Sequence, residues 1–159
     1  MCVVIDTCCL AIVFDDGNRM HGAYAPVLQW LSGKGRMIYG GSKYAAELRR
    51  AGRLLGVVTE LSRQGKTIHV DDRKVDKIAG QLKARFPEPE FDDEHIAALV
   101  IASRCRVVCT DDRTAIAYLR RADVFGGYGG VGRPSIYRGL RRHRRLCCDR
   151  NIVGVCRGG

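Results

Sequence analysis

The feature that most constrains this chain is a set of short, unbroken apolar runs separated by stretches with helical periodicity. The runs are CVVI at 2–5, MIYG at 37–40, TIHV at 67–70 and CRVVC at 105–109. A strand that alternates apolar and polar residues keeps one face wet, whereas a strand that is apolar throughout must be covered on both faces. Runs of this kind with helices between them predict an α/β fold: a parallel sheet of about four strands, flanked by helices in a three-layer sandwich.

The helical stretches carry their own punctuation. His21 to Lys34 places Ala25, Leu28 and Leu31 on one stripe. Gly40-Gly41-Ser42 supplies a turn and a cap for SKYAAELRRAG, and Leu54 to Gln64 continues as a further helix. Asp71 or Asp72 caps a helix running to Phe86, after which Pro87 and Pro89 break the chain. Asp92 or Asp93 caps EHIAALVIASR, and Asp111-Asp112 opens the helix TAIAYLRR. No internal repeat is visible. GGYGGVG at 126–132 reads as a flexible linker, dividing a domain over 1–125 from a linker and Arg-rich tail over 126–159.

Charge enters because of where it sits. The net charge is +10, and the residues from Gly132 onward hold eight Arg against one acid, so they carry seven of those ten charges. A balance that basic suits a polyanion, nucleic acid above all. Arg133, Arg138, Arg141, Arg142, Arg144 and Arg145 form the densest group and are expected to hold RNA by its phosphates, which the guanidinium fork matches; a disordered solubilising tail or a docking strip for an acidic partner is the alternative. No apolar run reaches membrane-spanning length, so no membrane partner is expected. The opening MCVVIDTCCLAIVFDD is acidic and lacks the basic start of a signal peptide, which predicts a cytoplasmic protein whose eight Cys act as small hydrophobes. His143, Cys147, Cys148 and Cys156 are the one set that could form a zinc site, without a C-x-x-C pair to support it.

The acids fall where a parallel sheet places its ligands. Asp6 ends the first run, Asp111 and Asp112 follow the last, and Asp93 starts the helix that leads into that last run. Glu47 lies within SKYAAELRR, four residues after Lys43, with which it could pair. Carboxylates gathered in one cleft repel unless a cation neutralises them, and hard oxygen donors select Mg²⁺ or Mn²⁺. Such ions activate water and stabilise a transferring phosphoryl group. Helix capping is the alternative role for Asp92, Asp93, Asp111 and Asp112.

VVIDTCCL at 3–10, SKYAAEL at 42–48, DDEHIAALVIASRCRVVCTDD at 92–112 and the following TAIAYL together resemble the PIN-domain nuclease family over roughly residues 2–122. The resemblance implies a PIN-like sandwich and hydrolysis of RNA with Mg²⁺ or Mn²⁺. The family's four acids fall on Asp6, Glu47, Asp93 and Asp112: Asp6 with Thr7 after the first strand, Asp93 three residues before Ile96-Ala97-Ala98, Asp112 two after Thr110. The implied metal ligands are Asp6, Asp93 and Asp112, with Glu47 holding the attacking water. Asp92 and Asp111 rank second as ligands. A further acid often follows two positions later, where this chain has Thr114, which weakens a second metal site. The family includes toxins of bacterial toxin–antitoxin pairs, so an antitoxin protein and a homodimer enter as partners to test.

Three other classes compete, one of them a protein that acts only through partner binding, which would leave the acids without a purpose. A non-catalytic RNA-binding module would need the fold but not the acids. A phosphotransferase with Asp6 as nucleophile usually wants a second acid two residues on, where this chain has Cys8.

Overall fold

A computed structural model of the chain describes residues 1–157, and the side chain of Arg142, one of the arginines assigned to RNA, lies outside the described part. Five strands make one sheet: β1 (Cys2–Ile5), β2 (Arg36–Tyr39), β3 (Thr67–His69), β4 (Val107–Cys109) and β5 (Ser135–Tyr137). Their order is β3-β2-β1-β4-β5, and each neighbouring pair is parallel. The chain lays down β1, builds outward through β2 and β3, then returns to place β4 on the other side. The direction of winding reverses between β1 and β4, and at such a seam the connections part to leave a crevice at the carboxyl ends of the strands.

Helices follow every strand: α1 (Thr7–Phe14) and α2 (His21–Ser32) after β1, α3 (Ser42–Arg50) and α4 (Arg53–Arg63) after β2, α5 (Asp72–Arg85) and α6 (Glu94–Ser103) after β3, α7 (Arg113–Leu119) and α8 (Ala122–Phe125) after β4, and a short α9 (His143–Leu146) after β5. α1 packs on α2 and α4, α5 packs on α6, and α6 also reaches β1 and β2. The four residues of β1 are buried, with Val4 flanked by Ile38 on one side and Val108 on the other. No helix among the described residues is long and apolar enough to cross a membrane.

One turn decides where the helix bearing Glu47 begins. Gly40 and Gly41 have φ of 149° and 92°, and a Cβ at Gly40 would stand 2.3 Å from the Val70 carbonyl oxygen. Only glycine allows β2 to pass so close to the end of β3. The next residue, Ser42, is then fixed by Asp76, which accepts from its backbone N–H at 2.8 Å and its hydroxyl at 2.6 Å.

Two features depart from the sequence expectations. TCCLAIVF forms α1, which the amphipathic pattern does not announce, because the segment is apolar nearly all round and Cys9, Leu10 and Val13 are buried. Of the segment 126–159, read as linker and tail, the described residues 126–157 instead complete the sheet. β5 pairs with β4 along its length, Tyr137 is fully buried, and α9 (His143–Leu146) and three short 3₁₀ turns (Leu140–Arg142, Asp149–Asn151, Gly154–Cys156) bring Leu146, Val153 and Cys156 into the core. A disulfide joins Cys156 to Cys2, with Cα atoms 6.7 Å apart, so these two Cys are not the isolated small hydrophobes expected. The glycines of 126–132 supply turns within the domain, not a boundary.

This packing reverses what a flexible tail would imply for truncation. A chain ending at Val131 loses the burial of Tyr137, Leu146 and Val153 and bares the edge of β4. At roughly 1.5–3 kcal/mol per buried large side chain, the loss is comparable to the whole stability of a domain this size. The truncated protein is expected to lose its cooperative thermal transition, measured by circular dichroism; an unchanged melting curve would restore the tail reading.

Candidate active site

The acids stand at the carboxyl ends of β1 and β4, where the winding of the sheet reverses. Asp6 follows β1 directly and is 4% exposed. Its backbone N–H donates to the Cys109 carbonyl at 2.9 Å, which locks the end of β1 to the end of β4. A carboxylate so enclosed needs a donor, and Thr110, with no exposed surface, supplies one: its hydroxyl donates to Asp6 Oδ2 at 2.7 Å. The same Thr110 oxygen accepts from the Asp112 backbone N–H at 3.1 Å. One hydroxyl thus sets the relative position of two acids from different strands. Asp6 Oδ1 has only a long contact from the Cys8 N–H, 3.4 Å, as the cap of α1.

Asp112 does cap its helix. Oδ1 accepts from the N–H groups of Thr114 at 2.7 Å and Ala115 at 2.9 Å, while Oδ2 takes no part in the cap. Asp93 stands at the cap position of α6 but makes no cap bond with its side chain, so the capping role proposed for it is not filled. Its pKa is pushed up to about 7, first by burial and then by the negative charges of Asp6, Asp92 and Asp112, with His95 opposing. That shift places Asp93 in the field of both other acids.

Glu47 is held from the side. Thr7 donates its hydroxyl to Oε2 at 2.8 Å, and His95 Nε2 lies 3.3 Å from the same oxygen, an ion-pair distance but off the line of a hydrogen bond. Burial of Glu47 raises its pKa, but the neighbouring imidazole, the Thr7 hydroxyl and the charge of Lys43 outweigh burial and leave it below the ordinary glutamate value. Lys43 does not pair with Glu47 as the helical spacing suggests: it reaches the backbone carbonyl of Asp92 and sits 3.3 Å from Glu94. Tyr44, one turn before Leu48 and fully buried, ties α3 to β1 by donating to the Ile5 carbonyl at 2.6 Å.

The sequence candidates therefore separate. Asp6, Asp93 and Asp112, with Glu47 beside them, share one end of the sheet, and Thr7 and Thr110 serve as the hydroxyls that position them. Asp111 is engaged elsewhere, in an ion pair with Arg138 at 2.6 Å, which also withdraws Arg138 from the set of free arginines. Asp92 is exposed and contributes its carbonyl to Lys43. Thr114 is exposed and bonds only through its N–H to Asp112. Arg133, Arg141, Arg144 and Arg145 are exposed and take no part in the crevice. His95, 2% exposed and with Nδ1 unpartnered, was not picked out in the sequence. Its signal was present: HIAALVIAS has no polar face, so a histidine within it must point inward.

Hard oxygen donors at one end of the sheet, one of them raised in pKa first by burial and then by its acidic neighbours, are the donor chemistry a small divalent cation relieves. In the conformation seen, no group of three His, Cys, Asp or Glu side chains among the described residues is gathered tightly enough to hold a metal ion, and this includes His143, Cys147, Cys148 and Cys156. Set against protein families, curated proteins and solved structures, the chain matches none.

The raised pKa of Asp93 has a signed consequence. An acid whose folded pKa lies above its unfolded value of 3.8 penalises the folded state as pH rises between the two, with the full penalty present above about 7. Asp93→Asn is therefore expected to raise the melting temperature of the metal-free protein at pH 8, by about 3–6 °C, and to leave it unchanged near pH 4. Equal effects at both pH values in a thermal melt with EDTA would show that the pKa of Asp93 is not raised in the folded protein.

Proposed function

We propose that this chain is a Mg²⁺- or Mn²⁺-dependent endoribonuclease of the PIN-like kind, cutting RNA phosphodiester bonds in the crevice between β1 and β4. The observation that carries the reading is the joining of Asp6 and Asp112 by the Thr110 hydroxyl where the sheet reverses its winding, with Asp93 uncapped at the start of α6. The motif resemblance noted in the sequence supports it independently.

The ion would be held by Asp6 Oδ1, Asp112 Oδ2 and the uncapped carboxylate of Asp93. Bound there, a divalent cation lowers the pKa of a coordinated water and neutralises charge on the phosphodiester. Glu47 stays ionised because Thr7 and His95 hold it so, and an ionised carboxylate at that position orients the attacking water. Thr110 keeps Asp6 and Asp112 from drifting apart, so the acids are preset at little reorganisation cost. The basic surface draws the polyanion, and the acidic crevice does the cutting.

A non-catalytic RNA-binding module is the second reading. What favours it is that no ligating trio among the described residues is closed in the conformation seen and that Asp112 commits one oxygen to capping α7.

The two part company in one experiment. Purified protein is expected to degrade a labelled single-stranded RNA with Mn²⁺ or Mg²⁺ and to leave it intact with EDTA. Asp6→Asn and Asp112→Asn should each lower the rate by roughly 10²-fold, while circular dichroism reports the same fold. RNA bound but uncut at every metal concentration would establish the module reading. Thr110→Val separates positioning from chemistry: it removes a buried donor from Asp6, so it should cost roughly 2–3 kcal/mol of stability and lower the rate without abolishing it.

A further inference from the structure

The end of the sheet opposite the acids carries a second charged feature. A cleft of about 470 Å³ opens at the amino ends of β4 and β5, lined by Arg104, Arg106, Arg133 and Arg157 together with the glycine turns at 130–132 and Gly154. No acid among the described residues lines it. An adjoining groove shares Ser135 and Asn151 with it and adds Arg144, Arg145 and Arg150. Two of these arginines, Arg104 and Arg106, come from the stretch between α6 and β4, so the feature is assembled by the fold and is not a property of the C-terminal stretch alone.

The guanidinium groups are anchored but not neutralised. Arg104 donates to the Gly129 carbonyl at 3.4 Å, Arg106 to that of Arg150 at 3.1 Å, and Arg133 to that of Arg120 at 3.1 Å. Each guanidinium has five N–H donors, so one such bond orients the group and leaves the rest available. Arg53, Arg63, Arg121 and Arg138 all pair with carboxylates, whereas among the described residues none lies within ion-pair distance of Arg104, Arg106, Arg133 or Arg157. Arg104 also holds φ of 59°, at a helix end where glycine is the usual occupant. Four like charges facing one hollow are unfavourable until an anion enters.

We propose that this cleft is a binding site for the phosphate backbone of single-stranded RNA, holding a part of the substrate remote from the cut. The choice of RNA as the polyanion rests on the ribonuclease reading above. The chemistry favours phosphate over carboxylate partners through its makeup: the lining cations are all arginine, and the planar fork meets a phosphate with two parallel bonds. A concave site suits a strand better than a flat bilayer. No aromatic side chain among the described residues lines it, so bases have nothing to stack on and the grip is on the backbone without sequence preference. β4 is three residues long, so the cleft and the acids are separated by roughly 10–15 Å, a gap that a strand running around the β5 edge would cover.

The test is equilibrium binding of the full chain to a labelled oligouridylate in EDTA, repeated across a salt series. Wild-type affinity should fall steeply with salt, and the double variants Arg104→Gln/Arg157→Gln and Arg106→Gln/Arg133→Gln should each bind roughly tenfold more weakly. Their slopes of log affinity against log salt should be shallower by roughly 0.7 for each phosphate no longer held. Thermal melts should be unchanged, and Asp112→Asn should keep the wild-type slope. Variants that fold and retain the full slope would overturn the proposal. So would variants that keep RNA binding and lose only adhesion to polyglutamate or to phosphatidylglycerol vesicles. If wild type never cuts RNA but the variants lose slope, the ribonuclease reading falls and the cleft stands.

Discussion

A carboxylate at the end of a central strand has no water to turn to. β1 has a neighbour on each edge and helices over its residues, and its last residue runs straight into Asp6. Leaving that charge unpaired would cost more than most single contacts in the domain return. The solution is one hydroxyl, Thr110, taken from the strand next door. Because Thr110 also receives the Asp112 N–H, the partner that makes Asp6 tolerable fixes where α7 begins. The same small hub therefore closes the β1–β4 seam, starts a helix and spaces two acids. Stability and site geometry are not separable there.

The rest of the crevice is arranged around that hub by elements with independent supports. α3 is set by the Gly40-Gly41 turn and by Tyr44 bonding back to β1, which brings Glu47 within reach of Thr7. α6 is buried along its whole length, so the position of Asp93 is fixed by packing and its side chain is left free of capping duty. The result is one acid bound by a hydroxyl, one bound by a helix end, one bound by a threonine and a histidine, and one that caps nothing. That last one is the acid whose charge is resisted first by burial and then by its acidic neighbours.

Much of this was legible in the residues. CVVI and the core of CRVVC have the unbroken apolar character of covered strands, whereas TIHV forms a strand that is only partly buried, and the spacing of these runs by helical stretches implied the parallel order. Asp6, Asp93 and Asp112 stood out because strand ends and helix starts are where such sheets place ligands. What escaped had weak local signals. SIY at 135–137 is three residues with only Tyr137 buried, so its pairing with β4 is a tertiary fact that no short-range pattern carries. α1 hid because it lacks a polar face. The pairing of Asp111 with Arg138 and the meeting of Cys2 with Cys156 span 27 and 154 residues, and composition says nothing about distance in space. Glycines in GGYGGVG misled because turn-forming residues serve the interior of a domain as well as its boundaries.

The strands of this sheet are only three or four residues long, yet they separate an acidic end from an arginine-lined end. Charges of opposite sign held apart on one rigid body make a permanent dipole moment, superposed on the net charge of +10. In the field of a long polyanion such a body experiences a torque as well as an attraction. It turns during approach so that the arginine end leads and the carboxylates trail. First contact is thereby biased away from the acids, and the acidic end meets the polyanion only after the molecule is already oriented.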